Sequence, residues 1–559
     1  MRKFTLFIAS LFLALGAMAQ VVADGVYTIQ ADENGKRGYL AASSQYDRPV
    51  LTEISWSSYS GNSCTSIVEN GKYWYVKTID GVTYLSNIGN GGFIYDNGTD
   101  NIYFGAPFGL NFTNHNGYIH AGSGSGVRYL SMGCGTTAPN QVKWEKGNGN
   151  DGGCLLTFRP VENGTTTYAT QIAVADMMIV ASKKYVSFGV YTINNIFNGR
   201  GTLSYGTYSG SEYFGLSNIT LSGYANRGVT VENDANKYWC IAQTDKGMYI
   251  YNIGKGVFLQ NHTGDVATCS QNVATGYSFE ERTNGGNSYV SIKNGDYYLS
   301  YSPGWYPTQG QVRWLTNNEE AATLLTLTSV SFANYVNELK KLDAIIDAYE
   351  NPHTLNVTDA GWATLYLGYN AQIPKFTGEE TGAYIVTGTK EGDWLNLVQV
   401  DGVLPANTGI IVKANKGDYP FNYAPVATAN VEDNLLEGSV VAETISGAAY
   451  VLGYAEETNE LVFGKAKLNF DDEGNKVEEN GTHFLNNANK AYLPATKLTA
   501  GSDAPYYSFR FEGEGTTGIS EVKGQSGEVK AIFDLTGRRI EEITAPGIYI
   551  VNGKKVLVK

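Results

Sequence analysis

Tyr39-Leu40-Ala41, Tyr84-Leu85-Ser86 and Tyr129-Leu130-Ser131 divide the start of the chain into units of equal length, each Tyr-Leu step falling 45 residues after the one before. A fixed period of this size marks a repeat architecture. Between the steps the chain alternates Tyr, Val, Ile and Thr with polar residues and is punctuated by Gly, Asn and Asp. That is the pattern of short strands joined by tight turns, about four strands to a unit.

The block of three units then occurs a second time. Gly25-Val26-Tyr27-Thr28-Ile29 returns as Gly189-Val190-Tyr191-Thr192-Ile193, and Tyr73-Trp74 as Tyr238-Trp239. Asn87-Ile88-Gly89 returns as Asn252-Ile253-Gly254, and Gln141-Val142-Lys143-Trp144 as Gln311-Val312-Arg313-Trp314. The offset between partners drifts only from 164 to 170, as a tandem duplication with loop insertions would leave it. In the second copy the Tyr-Leu places hold Thr202-Leu203, Tyr249-Ile250 and Tyr298-Leu299. Three units of about four strands resemble a β-trefoil, the fold of the ricin-type lectins and of many other binding modules. The resemblance implies an all-β chain with two tandem trefoils, at 21–161 and 187–330. Closing each sheet into a barrel would also remove the edge strands that a chain so rich in β-formers must otherwise protect.

The rest of the chain divides by composition. Arg2-Lys3, the apolar run Phe4 to Leu15 and the small-residue site Ala17-Met18-Ala19 read as a secretory signal peptide over 1–19, too short for a membrane span. Residues 162–186 hold an apolar stretch of ambiguous period, read as a linker with a short helix. Phe332, Tyr335, Val336, Leu339, Leu342, Ile345, Ile346 and Tyr349 fall at helical spacing, so 331–351 is one amphipathic helix ended by Pro352, its apolar face packing on the neighbouring domain.

Residues 354–515 return to strands without the 45-residue period. Gly361-Trp362-Ala363-Thr364-Leu365-Tyr366, Leu404-Pro405-Ala406-Asn407-Thr408-Gly409 and Lys490-Ala491-Tyr492-Leu493-Pro494 resemble a β-domain found ahead of the sorting tail in secreted surface proteins of one group of Gram-negative bacteria. The resemblance carries no assigned activity, and a β-sandwich-like accessory domain is expected. The tail, 518–559, contains Phe533-Asp534-Leu535-Thr536-Gly537-Arg538-Arg539, then Pro546-Gly547-Ile548-Tyr549, then Asn552-Gly553 before a final strand. It resembles the C-terminal sorting domain of the type IX (Por) secretion system. Asp534, Gly537, Arg538, Pro546, Gly547, Tyr549 and Gly553 carry that resemblance, which implies export across both membranes of a Gram-negative bacterium, with the secretion machinery as a partner.

Charge narrows the partners further. The chain carries a net charge of −14, and loss of Arg2 and Lys3 with the signal peptide would make it −16. With no basic cluster, nucleic acid and anionic membrane are poor partners, and no later run is long enough to make an integral membrane protein. The five cysteines, Cys64, Cys134, Cys154, Cys240 and Cys269, contain no CxxC pair. Cys134 with Cys154 and Cys240 with Cys269 are the candidate disulfides, buried thiols the alternative.

Catalytic signatures are missing: there is no HExxH, no GxSxG elbow and no phosphate loop. Gly122-Ser123-Gly124-Ser125-Gly126 reads as a hairpin loop, and Asp471-Asp472-Glu473-Gly474-Asn475 as a solvated turn without calcium-loop spacing. His115, His120, His262, His353 and His483 are scattered, so no metal and no cofactor is implied. The ricin-type Gln-x-Trp motif is one residue too long in both copies, and none of that family's sugar contacts carries over. Aromatics shared by the copies, such as Trp74 with Trp239, read as core. An aromatic in one copy alone is freer to meet a ligand. Tyr301-Ser302-Pro303-Gly304-Trp305-Tyr306-Pro307 therefore offers Tyr301, Trp305 and Tyr306 as a stacking platform, and Trp56 with Tyr59 is a second one; the plain alternative is rings plugging the barrel mouth. The function expected is non-catalytic binding of host or dietary glycans by a secreted or cell-surface protein. An adhesin or structural protein that binds surface proteins is the rival, and a polysaccharide hydrolase the remoter one.

Overall fold

In the computed structural model, the apolar residue of every Tyr-Leu step ends at the centre of a barrel. The structure describes all residues except 1–21, 32–37, 56, 59, 113–118, 122–126, 134–141, 147–155, 196–198, 303–310, 317–320, 379, 391–393, 456–459, 467–482, 499–503, 512–531, 535–538, 541–546, 552–553 and 559. The two glycine-rich and acidic turns, His115, Cys134 and Cys154 lie outside them.

The first copy has twelve strands among the described residues. They are β1 (Gly25–Ala31), β2 (Tyr39–Ala42), β3 (Pro49–Thr52), β4 (Tyr73–Ile79), β5 (Val82–Asn87) and β6 (Phe93–Asp96), followed by β7 (Ile102–Gly105), β8 (Asn111–Phe112), β9 (Ile119–Ala121), β10 (Arg128–Ser131), β11 (Lys143–Lys146) and β12 (Leu156–Pro160). β1 lies antiparallel to both β4 and β12, and β4 pairs with β5. Thr83 and Leu110 exchange backbone hydrogen bonds of 2.9 and 2.8 Å, which brings β5 alongside the start of β8. The hairpins β2–β3, β6–β7 and β10–β11 stand off this ring, one per unit.

The second copy repeats the plan with β13 (Ser187–Asn195), β14 (Gly201–Tyr208), β15 (Ser211–Ser217), β16 (Trp239–Gln243), β17 (Met248–Asn252) and β18 (Val257–Leu259). It continues with β19 (Cys269–Ser270), β20 (Tyr277–Asn284), β21 (Asn287–Asn294), β22 (Tyr297–Ser302), β23 (Gln311–Leu315) and β24 (Thr326–Ser329). β13 pairs with β16 and β24, and Val290 and Leu325 exchange backbone hydrogen bonds to join β21 to β24. Six barrel strands and three capping hairpins, built from three similar units, make each copy a β-trefoil.

The repeat is legible in the cores. Leu40, Leu85 and Leu130 are fully buried together in the first barrel, as are Leu203, Ile250 and Leu299 in the second. Trp74 and Trp239 are buried in matching places, where each indole donates from Nε1 to the carbonyl of the first unit's leucine, Leu40 at 2.9 Å and Leu203 at 3.0 Å. Fixing the ring's polar edge inside the barrel avoids the cost of burying an unpaired N–H.

The apolar stretch between the copies is a full helix, α1 (Ala169–Lys184). Ala175 and Ile179 pack against Val26, Tyr75 and Phe93 of the first trefoil, while Met177 and Ala181 pack against Val190, Cys240 and Tyr249 of the second. The amphipathic helix α2 (Val336–Glu350) adds Val336, Leu339, Leu342 and Ile346 to the second of these clusters. Cys240 faces this cluster whereas Cys269 packs against the barrel core, so the two cysteines of the candidate pair serve different cores and both are free thiols, as is Cys64.

The chain forms two compact units, dividing at Ile346 and Asp347. The second is built on a nine-stranded sheet in which the second and third strands, Thr408–Lys413 and Gly382–Lys390, are apolar on both sides. Ala383, Ile385, Ile410 and Val412 face one core, while Tyr384, Val386 and Ile411 face another. Tyr366 and Asn489 exchange hydrogen bonds of 3.1 Å, curling the sheet so that its first strand, Trp362–Leu367, meets the strand Lys490–Pro494. The tail strands form a separate antiparallel sheet in the order Arg539–Ile540, Ile532–Asp534, Gly547–Val551, Lys554–Val558. No helix among the described residues is long and apolar enough to cross a membrane.

Candidate ligand-binding site

The residues nominated from sequence are dispersed. Trp56, Tyr59, Trp305 and Tyr306 lie outside the described residues. Tyr301 is a core residue and not an exposed ring: it is fully buried, and its hydroxyl donates to the Ile193 carbonyl at 3.2 Å. It stands two residues after Leu299 on β22, so the alternation of a strand turns both inward. Met132, in the same place after Leu130, is buried in the first copy. In the tail, Asp534 is paired with Tyr549 across neighbouring strands and Gly547 opens the strand that meets the last one. Gly537, Arg538, Pro546 and Gly553 lie outside the described residues.

A polar cleft of about 230 Å³ instead opens on the second trefoil, at the junction of its first and second units. Its floor depends on two glycines. Thr207 on β14 and Thr230 exchange backbone hydrogen bonds of 2.9 Å, and a Cβ on Gly206 would come within 2.4 Å of the Thr230 carbonyl oxygen. A Cβ on Gly254 would lie 2.6 Å from the Asn236 backbone nitrogen. Between them the buried Asn252 clamps the junction, its amide donating to the Asn236 carbonyl and accepting from the Lys255 N–H, both at 3.0 Å. The turn before β16 is capped by Asn233, whose side chain accepts from the Ala235 N–H at 3.0 Å.

The walls carry functional groups. Lys255 forms an ion pair with Glu212 at the start of β15, and its ammonium lies 5.8 Å from the centroid of the Tyr205 ring. Burial, with Cys269 and Glu212 nearby, raises the Tyr205 phenol above its ordinary pKa, so it stays a neutral ring. Thr207, Thr230, Glu232 and Asn236 complete the lining. Carboxylates, an ammonium, hydroxyls and an amide together can accept from and donate to a neutral, hydroxyl-bearing ligand. No group of three or more metal-ligating side chains occurs among the described residues.

The cleft escapes a motif search because Glu212 and Lys255 are 43 residues apart and meet only through the trefoil pairing. One signal was present. Asn252-Ile253-Gly254 repeats Asn87-Ile88-Gly89, and in the first copy Asn87 clamps the same junction, donating to the Gly71 carbonyl at 2.8 Å. There Lys72 pairs with Glu53 at 2.6 Å and lies 5.9 Å from the Tyr39 ring centroid.

No family model matches the chain, and no curated protein does. Among solved structures, a mosquitocidal holotoxin aligns over 87% of this chain and 63% of its own, with 10% identity and a TM-score of 0.19. The chain thus spans under two thirds of that toxin's length. A non-toxic homologue of type II RIPs from Momordica charantia (bitter gourd), solved with α-methyl-D-galactoside, aligns over 55% of this chain and 98% of its own, at 12% identity and a TM-score of 0.17. The agglutinin from Abrus precatorius covers 55% of this chain and 99% of its own, at 11% identity and a TM-score of 0.16. Likeness of this extent assigns neither a family nor a ligand.

Proposed function

We propose that the chain is a secreted, non-catalytic glycan-binding protein that engages neutral sugars through its trefoils. The observation that carries the reading is the cleft at Glu212 and Lys255, where carboxylates, an ammonium, hydroxyls and amides share one small polar recess above a floor that tolerates only glycine at 206 and 254. Such a set matches a pyranose, whose hydroxyls both donate and accept.

Delivery to the cell surface is supported by the charged and apolar start of the chain and by the resemblance of its last 40 or so residues to a type IX sorting tail. In this reading 21–161 and 187–330 are the binding domains, 354–515 is accessory, and 518–559 is an address. A glycan array probed with the full mature chain tests the proposal. Saturable binding to one sugar class, weakened about tenfold or more in Lys255→Ala as the loss of a charged hydrogen bond requires, supports it. A blank array from a folded sample, or binding indifferent to that change, overturns it.

A further inference from the structure

The second unit carries a polar cleft of its own, about 410 Å³, large enough for a mono- or disaccharide. It opens beside the strand Glu437–Ser439, where that strand passes Trp362–Leu367. Tyr366, Asn407, Thr408, Glu437, Gly438 and Lys497 line it. We propose that this cleft is a second, independent binding site for a neutral sugar, which would make the accessory unit a binding module as well.

Three features carry the assignment. First, the carboxylate of Glu437 is held in place before any ligand arrives. Lys497 donates to one oxygen at 2.8 Å and the Tyr492 hydroxyl to the other at 3.3 Å, and each oxygen keeps acceptor capacity for a ligand hydroxyl. Burial, and after it the charge of Glu437, pushes the Tyr492 phenol up to about 12, so it remains a donor at neutral pH.

Second, the Tyr366 ring is seated on backbone. A Cβ at Gly438 would come within 2.6 Å of two of its ring carbons, so glycine alone lets the strand lie against the ring. Third, Asn407 stands at the rim in a left-handed backbone conformation, φ +60°; its backbone N–H donates to the Leu367 carbonyl at 2.7 Å, while its side-chain amide is exposed and takes part in no hydrogen bond among those the structure describes.

The lining fixes the class of ligand. Glu437 and Lys497 offset one another, so an anion would face the carboxylate and a cation the ammonium. What remains is an aromatic ring, a hydroxyl, an amide and a preset ion pair, the complement of an uncharged polyol with one apolar face.

The test is saturation-transfer NMR on the full chain with four probes: the methyl α-glycosides of glucose, galactose and mannose, and N-acetylglucosamine. The background carries Glu212→Ala and Lys255→Ala, so that the trefoil cleft contributes nothing and its own success or failure is read separately. At least one probe should show saturable transfer in that background, and Glu437→Gln should raise its apparent Kd about tenfold or more. Asn407→Gly, which fits the left-handed backbone without strain, should weaken the same probe while leaving the unfolding midpoint unchanged. Absence of transfer from all four probes in the background, or equal affinity in both variants, overturns the site.

Discussion

Gly254 shows how one atom decides the trefoil cleft. Its backbone lies against Asn236, and a methyl group would sit 2.6 Å from a backbone nitrogen that cannot rotate away. Gly254→Ala should therefore cost about 1–3 kcal/mol through overpacking, and by displacing the turn that carries Lys255 it should weaken ligand more than it weakens the fold. Chemical denaturation and glycan titration of the same variant measure the two effects. Loss of stability with ligand affinity intact would separate Gly254 from the site.

A second residue-scale effect lies in the other unit. Burial, and then the positive charge of Lys490, lower the pKa of His353 below its ordinary value. The folded state thus prefers the neutral imidazole, while the unfolded chain protonates near pH 6.5. The stability that His353 contributes is fully present above that pH and is lost as the pH falls through the lower folded value. Between pH 7.5 and 5.5 the denaturation midpoint of the native protein should fall more than that of His353→Gln. Equal shifts would remove His353 as the cause.

At the scale of elements, α1 explains why part of the fold is plain in the sequence and part is not. Leu40, Leu85 and Leu130 are legible because each trefoil unit buries one face of its strands, and the period of the buried residue survives duplication. The same alternation, carried two residues past Leu299, places Tyr301 in the core, where a reading by aromatic content alone sets it at the surface. Helix α1 has no such stripe. Ala175 and Ile179 lie one turn apart on one side, with Met177 and Ala181 on the opposite side, and a trefoil covers each. A helix buried on both faces gives no amphipathic period, whereas α2, with one dry face, reads clearly.

The cleft is illegible for a different reason: its groups come from separate strands brought together by the ring closure. The double burial of α1 carries a prediction of its own. Ile179→Asp would set an unpaired carboxylate among Val26, Tyr75 and Phe93, and should detach the helix from the first trefoil. Residues 22–346 form one compact unit, so the native protein should show one calorimetric transition for them and Ile179→Asp two, the first trefoil melting earlier. A single unshifted transition would show that α1 does not couple the copies.

For the whole molecule, net charge distinguishes the glycan reading from the protein-binding one. The chain carries 54 acidic against 40 basic residues, so a protein partner selected by this surface would be basic and steered to it by a long-range field. Salt shortens the reach of that field from about 10 Å at 0.1 M to about 3 Å at 1 M. A neutral sugar carries no charge for that field to act on, so its binding gains nothing from it. Binding measured by surface plasmon resonance at 0.05 M and 0.5 M NaCl should therefore change less than about twofold for a glycan, in both association and dissociation. A partner whose association rate falls about tenfold over the same range would be held by the acidic surface, and the adhesin reading would replace the lectin one. The cleft would then be an incidental recess, and Lys255→Ala would leave that partner's affinity where it was.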